Sequence, residues 1–122
     1  MILPDTTIWI DHLNHGDPEL QRRLLGNEIL MHPFVAGELE LGPLPNRKKT
    51  ILYLDSLPRV RAAQQSEVRY MIEAHKLHNR GIGLIDAHLI AAVLLNSGTE
   101  LWTRDGKLRK IAARLRIDAN LP

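Results

Sequence analysis

The chain opens Met1-Ile2-Leu3-Pro4-Asp5-Thr6-Thr7-Ile8-Trp9-Ile10-Asp11-His12-Leu13, a run that passes from a continuous apolar stretch, through one acid and two hydroxyl residues, into helical spacing. A short apolar run bounded by a polar break reads as a buried strand, and Ile8, Trp9, Ile10 and Leu13 up to Gly16 read as a helix. Asp17-Pro18-Glu19 supplies an N-cap, a proline at the first helical position and an early acid. A second helix therefore runs through Leu20, Leu24 and Leu25 and stops at Gly26. Glu28-Ile29-Leu30-Met31 is a second buried strand, and Pro33 opens a helix through Val35 and Leu39 to Gly42. A fourth helix spans Asn46 to Leu57, with Ile51, Leu52 and Leu54 on its apolar face, and Pro58 ends it.

Downstream the alternation continues. A short strand near Val60 precedes a helix that starts at Ser66-Glu67 and carries Val68, Met71, Ile72 and Leu77 toward Gly81. Gly83 opens a buried helix from Leu84 to Asn96, ended by Gly98. Glu100 to Thr103 is a strand, Asp105-Gly106 a turn into the helix from Lys107 to Arg114, and Arg116-Ile117 a last short strand. Strands alternating with helices predict an α/β fold, a mainly parallel central sheet flanked by helices on both faces. Ligands of such sheets sit at the carboxyl ends of the strands, where Asp5 and Asp105 both fall.

Bulk properties narrow the classes. The 122 residues are 44% apolar, enough for one core, and predict a single domain over residues 1–122. The absence of cysteine excludes disulfides and thiolate-built zinc sites. The formal charge of +2 arises from 16 basic and 14 acidic residues. If four acids gather in one site, the remaining surface is more basic than that total and suits a polyanionic partner. Neither a signal peptide nor a membrane span is expected: Asp5 interrupts the N-terminal apolar stretch, and the longest apolar segment, residues 81–95, contains Asp86 and His88.

Four carboxylates carry the chemistry: Asp5 after the first strand, Glu38 inside a helix, Asp86 in an apolar run and Asp105 beyond a late strand. Two unit charges about 4 Å apart in a partly wet cleft repel by roughly 4 kcal/mol, so acids sharing one pocket call for a divalent cation. Taken singly, each has another reading. Asp5 and Asp105 are suitable helix caps, and Glu38 is an ordinary helix former beside Glu40. Asp86, between Leu84-Ile85 and Leu89-Ile90, is costly to bury unless something holds its charge.

Taken together, Asp5-Thr6-Thr7, Gly37-Glu38-Leu39-Glu40-Leu41-Gly42, the run Gly83-Leu84-Ile85-Asp86-Ala87-His88-Leu89-Ile90-Ala91, and Leu101-Trp102-Thr103-Arg104-Asp105 resemble PIN-domain ribonucleases, specifically VapC-type toxins of toxin–antitoxin pairs. The resemblance covers nearly the whole chain in motif order. It implies a PIN-like α/β/α sandwich and an acidic quartet of Asp5, Glu38, Asp86 and Asp105. Glu38 is chosen over Glu40 because it precedes Leu39 and lies four before Gly42. It further implies Mg²⁺ or Mn²⁺ held first by Asp5 and Asp86, with Asp105 and Glu38 completing the site as ligands or by holding metal-bound waters. Thr6 and Thr103 become candidates for orienting a ligand or a water.

The implied activity is endoribonucleolytic cleavage of structured RNA, with tRNA favoured over a ribosomal RNA loop, leaving 5′-phosphate and 3′-hydroxyl ends. The implied partners are a VapB-type antitoxin and a second copy of the chain in a homodimer, with the apolar surface around Trp9 available to either, and the implied setting is the bacterial cytoplasm. One departure is Leu108, three past Asp105, where relatives often carry an aromatic residue.

Other features are weaker. His12/His15 and His75/His78 share helix faces but lack the glutamate of a metalloprotease helix. Arg104, Lys107, Arg109, Lys110, Arg114 and Arg116 crowd the stretch around Asp105, as phosphate contacts or as a solvated face. The competing class is a Mg²⁺-dependent phosphoacceptor receiver domain with Asp55 as acceptor. Against it, Asp5 has no acidic neighbour and no lysine follows the last strand in the expected manner.

Overall fold

A computed structural model describes all of residues 1–122. The elements are β1 (Ile2–Pro4), α1 (Thr6–His15), α2 (Pro18–Leu25), α3 (Pro33–Leu41), α4 (Arg47–Ser56), α5 (Gln65–Ala74), α6 (Leu84–Leu95), β2 (Glu100–Trp102) and α7 (Gly106–Arg114). β1 and β2 pair in parallel, Leu3 opposite Leu101. Single parallel bridges extend this pair on both sides, Ile2 to Ile29 and Met31 to Arg59 on one flank, Leu101 to Asp118 on the other. The order across the sheet is thus Arg59, the 29–31 segment, β1, β2, Asp118, all parallel. The chain steps outward from β1 in one direction, then returns to place β2 on the other side. The reversal falls between β1 and β2, so the switch-point crevice of this sheet lies at the ends of these two strands.

The expected second, third and last strands shrink to single bridges, because each segment exchanges only one or two backbone bonds with its neighbour. Met31 N–H donates to Pro58 O and Val60 N–H to Met31 O, while Leu101 N–H donates to Ile117 O and Ala119 N–H to Leu101 O. One cluster of 23 buried residues forms the core, with Leu3, Ile8, Trp9, Ile90, Leu101, Trp102 and Leu108 among its members. α6 is its central helix: every residue from Ala87 to Val93 is buried. On α4 only Leu54 is buried, and Leu52, expected on the apolar face, is 70% exposed.

Several helix ends differ from expectation for one shared reason. α5 stops at Ala74, and Leu77 reaches the core from beyond it. Lys76 takes φ 53°, and Leu77 N–H returns to Ile72 O at 2.9 Å. This is a Schellman turn, usually made with glycine. Asn27 after α2 and Arg116 after α7 do the same, with Glu28 N–H donating to Arg23 O and Ile117 N–H to Ala112 O. Gly26 itself sits at φ −85°, and Arg116 is a turn residue, so the final bridge moves to Asp118.

His32 is wholly buried and caps α3, its Nδ1 accepting from Phe34 N–H at 3.0 Å. Phe34 lies between His32 and His88, ring centroids 5.3 and 4.8 Å away. Burial, then the charges of His88 and Arg59, push the His32 pKa down to about 4. A base whose folded pKa is depressed costs stability as pH falls from its ordinary value of 6.5 toward 4, because only the unfolded chain takes up the proton there. The full effect is on the order of 3 kcal/mol. In a nitrogen-detected NMR titration the His32 ring should stay neutral down to about pH 4. A midpoint near 6.5 would contradict this packing.

Candidate functional site

Asp5 follows β1 directly, is 3% exposed, and caps α1. Its Oδ1 accepts from Thr7 N–H at 2.9 Å and Ile8 N–H at 3.4 Å, and from the Thr7 hydroxyl. Its Oδ2 accepts from the Thr103 hydroxyl at the end of β2. Thr103 Oγ1 in turn accepts from Asp105 N–H at 3.0 Å, so one buried hydroxyl joins the ends of two neighbouring parallel strands. Asp105 caps α7 through Oδ1, which accepts from Leu108 N–H at 2.9 Å. Both acids therefore cap a helix from the strand-end rim.

Asp86 sits in the first turn of α6, its Oδ2 accepting from Gly83 N–H at 3.3 Å. Burial first, then the negative charges of Asp5 and Asp105, hold its carboxyl above the usual range, with the Gly83 bond acting the other way. Glu38, on α3, is raised by desolvation and then by Asp86 and Asp5. Asp5 is raised by its burial, against the four hydrogen bonds that stabilise its charge. Each of the four carboxylates thus lies in the field of, or shares a hydrogen-bonded hydroxyl with, another of the four. They come from four separate elements or their caps and meet at one rim of the sheet.

The donor chemistry fits a hard divalent cation. All four residues offer oxygen, and Glu38 together with the second oxygens of Asp86 and Asp105 accept no protein hydrogen bond. No three His, Asp or Glu side chains are drawn into a closed ligand set. The arrangement is an open cluster of acids, not a structural cage.

Some neighbours differ from the sequence reading. Thr6 donates nothing to Asp5; Thr7 does. A capping side chain reaches the second and third residues of its helix, and Thr6 is the first. Thr7 Oγ1 also accepts from Arg104 N–H at 3.0 Å. Arg104 is committed within the chain: its guanidinium pairs with Asp11 at 2.7 Å and with Asp17, and Nε donates to Pro122 O. Only the folded chain could reveal this, since the partners stand 93 and 87 residues away. Arg109 pairs with Asp118 at 3.5 Å. Trp9 and Trp102 are interior, 1% and 0% exposed, so Trp9 presents no surface to a partner. Leu108 is fully buried and makes the backbone bond that Asp105 caps. Asp55 lies on α4 in an exposed i,i+4 pair with Arg59, away from any acidic cluster, which removes the receiver reading.

The family model of the PIN domain matches residues 2–114. The chain belongs to the PIN-domain family. Ribonuclease VapC32 of Mycobacterium tuberculosis, in strains CDC 1551 and H37Rv, is 37% identical over 113 residues, covering 93% of this chain and 91% of the relative. The chain is therefore a VapC-type PIN protein.

Burial first, and then like charge, works against ionisation of Asp86 and Glu38 in this cluster. A carboxyl with a raised folded pKa contributes more stability as pH falls through that pKa and costs stability above it. Neutralising Asp86 should therefore stabilise the metal-free protein at neutral pH. Relief of about 1 kcal/mol corresponds to roughly 4 °C in Tm for a chain of this size. We expect Asp86→Asn to melt higher than the parent in EDTA, by differential scanning fluorimetry; an equal or lower Tm would contradict a net folded-state cost of the Asp86 charge.

Proposed function

We propose that this VapC-type protein is a Mg²⁺- or Mn²⁺-dependent endoribonuclease, the toxin of a VapBC-type pair, acting on structured RNA with tRNA favoured, in the bacterial cytoplasm. The observation that carries this reading is the convergence of Asp5, Glu38, Asp86 and Asp105 at the strand ends, with Asp5, Glu38 and Asp86 all raised. The relationship to a protein named as a ribonuclease supports the substrate class.

Asp5 and Asp86 are the proposed primary metal ligands, with Asp105 and Glu38 completing the set. The bound ion would lower the pKa of a water and neutralise phosphate charge during in-line displacement. The protein's part is to hold its carboxylates rigidly. Thr7 and Thr103 fix both oxygens of Asp5, the α1 and α6 N-termini favour the charges of Asp5 and Asp86, and Thr103 keeps the end of β2 at hydrogen-bond distance from β1. With water as the nucleophile the 2′-hydroxyl need not attack, and expulsion of the 3′-oxygen, the outcome the family resemblance implies, leaves 5′-phosphate and 3′-hydroxyl ends.

The proposed partners are an antitoxin of VapB type and a second copy of the chain. Ile10, Leu13, Leu39, Pro43 and Leu44 line an apolar groove of about 140 Å³ that reaches Glu38, which would let a partner segment cover the site. No helix is long and apolar enough to cross a membrane.

Purified protein should cut RNA with Mg²⁺ or Mn²⁺ and stop in EDTA. Asp5→Asn and Asp86→Asn should each lower the rate by at least about 100-fold, or roughly 2.7 kcal/mol of activation free energy, while remaining folded. Mapping RNA 5′ ends after brief expression in cells identifies the target. Undiminished cleavage by folded Asp86→Asn protein would remove the assignment.

A further inference from the structure

Beside the acidic rim lies a basin of about 290 Å³ lined by Asn79, Arg80, Lys107, Lys110, Ile111 and Arg114. It contains four cations and no acid. Lys107, Lys110 and Arg114 stand at i, i+3 and i+7 of α7, a spacing that puts them on one stripe. Arg80 comes from the loop between α5 and α6.

This basic stripe has structure behind it. Arg80 Nε donates to Lys76 O at 2.9 Å and one Arg114 terminal nitrogen to His75 O at 2.6 Å, so both guanidinium groups are tied to the turn after α5. Their other N–H groups, and the Lys107 and Lys110 ammonium groups, make no hydrogen bond or ion pair within the chain. Gly81, at φ 78°, lets the Lys107 side chain lie on the loop: a Cβ there would fall 2.8 Å from Lys107 Cδ. The segments that line the basin continue in the chain to two of the acids: Lys107 is two residues past Asp105, the N-cap of α7, and the Asn79–Gly83 loop, which meets the Lys107 side chain at Gly81, ends in the N–H that binds Asp86.

We propose that the Arg80, Lys107, Lys110 and Arg114 basin is a subsite for the phosphodiester backbone of a single-stranded stretch of RNA, holding the strand that runs into the acidic rim. Uncommitted cations on a rigid stripe attract phosphates without reading bases, and they offset the repulsion that four carboxylates exert on a polyanion. That the bound strand is also the one cut rests on the ribonuclease reading above.

The test is binding of a fluorescent single-stranded RNA, by anisotropy in EDTA across a salt series. It compares the parent with Lys107→Gln/Lys110→Gln and with Lys48→Gln/Lys49→Gln, a pair on α4 that removes the same charge elsewhere. All four lysines are exposed, and melting curves check the fold. The expected result is at least about a tenfold weaker Kd for the Lys107/Lys110 pair. The slope of log K against log salt should shrink by about 1.4, two single-strand phosphate contacts at about 0.7 each, with little change for the α4 pair. Equal losses in both pairs, unchanged affinity in the first, or no RNA binding by the parent would overturn the proposal. Loss confined to the first pair in a protein that cuts no RNA with Mg²⁺ would uphold the basin and overturn the ribonuclease reading.

Discussion

Asp5 is a charged residue placed where the fold can least afford one, 3% exposed at the end of an apolar strand. It is held by two backbone N–H groups of α1, the Thr7 hydroxyl and the Thr103 hydroxyl, and the last of these comes from the neighbouring strand. Removing a buried carboxylate from water costs several kcal/mol unless such donors replace it. The same bonds tie in two further residues, because Thr103 also receives Asp105 N–H and Thr7 receives Arg104 N–H. Stability of the helix start, registry of the two central strands and placement of two acids therefore depend on one small network.

Around that anchor the protein separates charge. Acids from β1, α3, α6 and α7 occupy the strand ends, where three of them are held above their ordinary pKa values. Arg104, next to Asp105 in the chain, is neutralised by Asp11 and Asp17 and lies across the Trp102 ring, 5.7 Å from its centroid. The uncommitted cations begin one turn later, at Lys107. A formal charge of +2 thus conceals a group of acids at the strand ends and a separate stripe of cations on α7. This distribution suits a substrate whose backbone is anionic and whose cleavage requires a cation.

Much of the architecture was legible because it rests on local rules. Asp17-Pro18, Pro33 and Asp105-Gly106 begin helices where capping chemistry says they should, and β1 and β2 were visible as apolar runs. What escaped depends on contacts between distant residues. Lys76 and Arg116 adopt left-handed turns that their side chains do not advertise, so α5 ended early and the last bridge moved. Thr7, which the sequence reading did not single out, bonds Asp5 through the geometry of an N-cap, a detail derivable from Asp5 alone. His32 gave no local sign of being a buried neutral cap beneath Phe34, and Arg104 could not be told from its basic neighbours without Asp11 and Asp17 in place. The four acids stand out as candidates in the sequence because the motifs around them, in order, resemble a family pattern. Their shared field was visible only in the fold.

If four acids distant in sequence converge to bind a hard divalent cation, crystals of the protein grown with Mn²⁺ will give an anomalous diffraction peak at the ends of β1 and β2, with direct carboxylate contacts from Asp5 and Asp86. A well-ordered site with no peak there, or Mn²⁺ bound only elsewhere on the molecule, would contradict it.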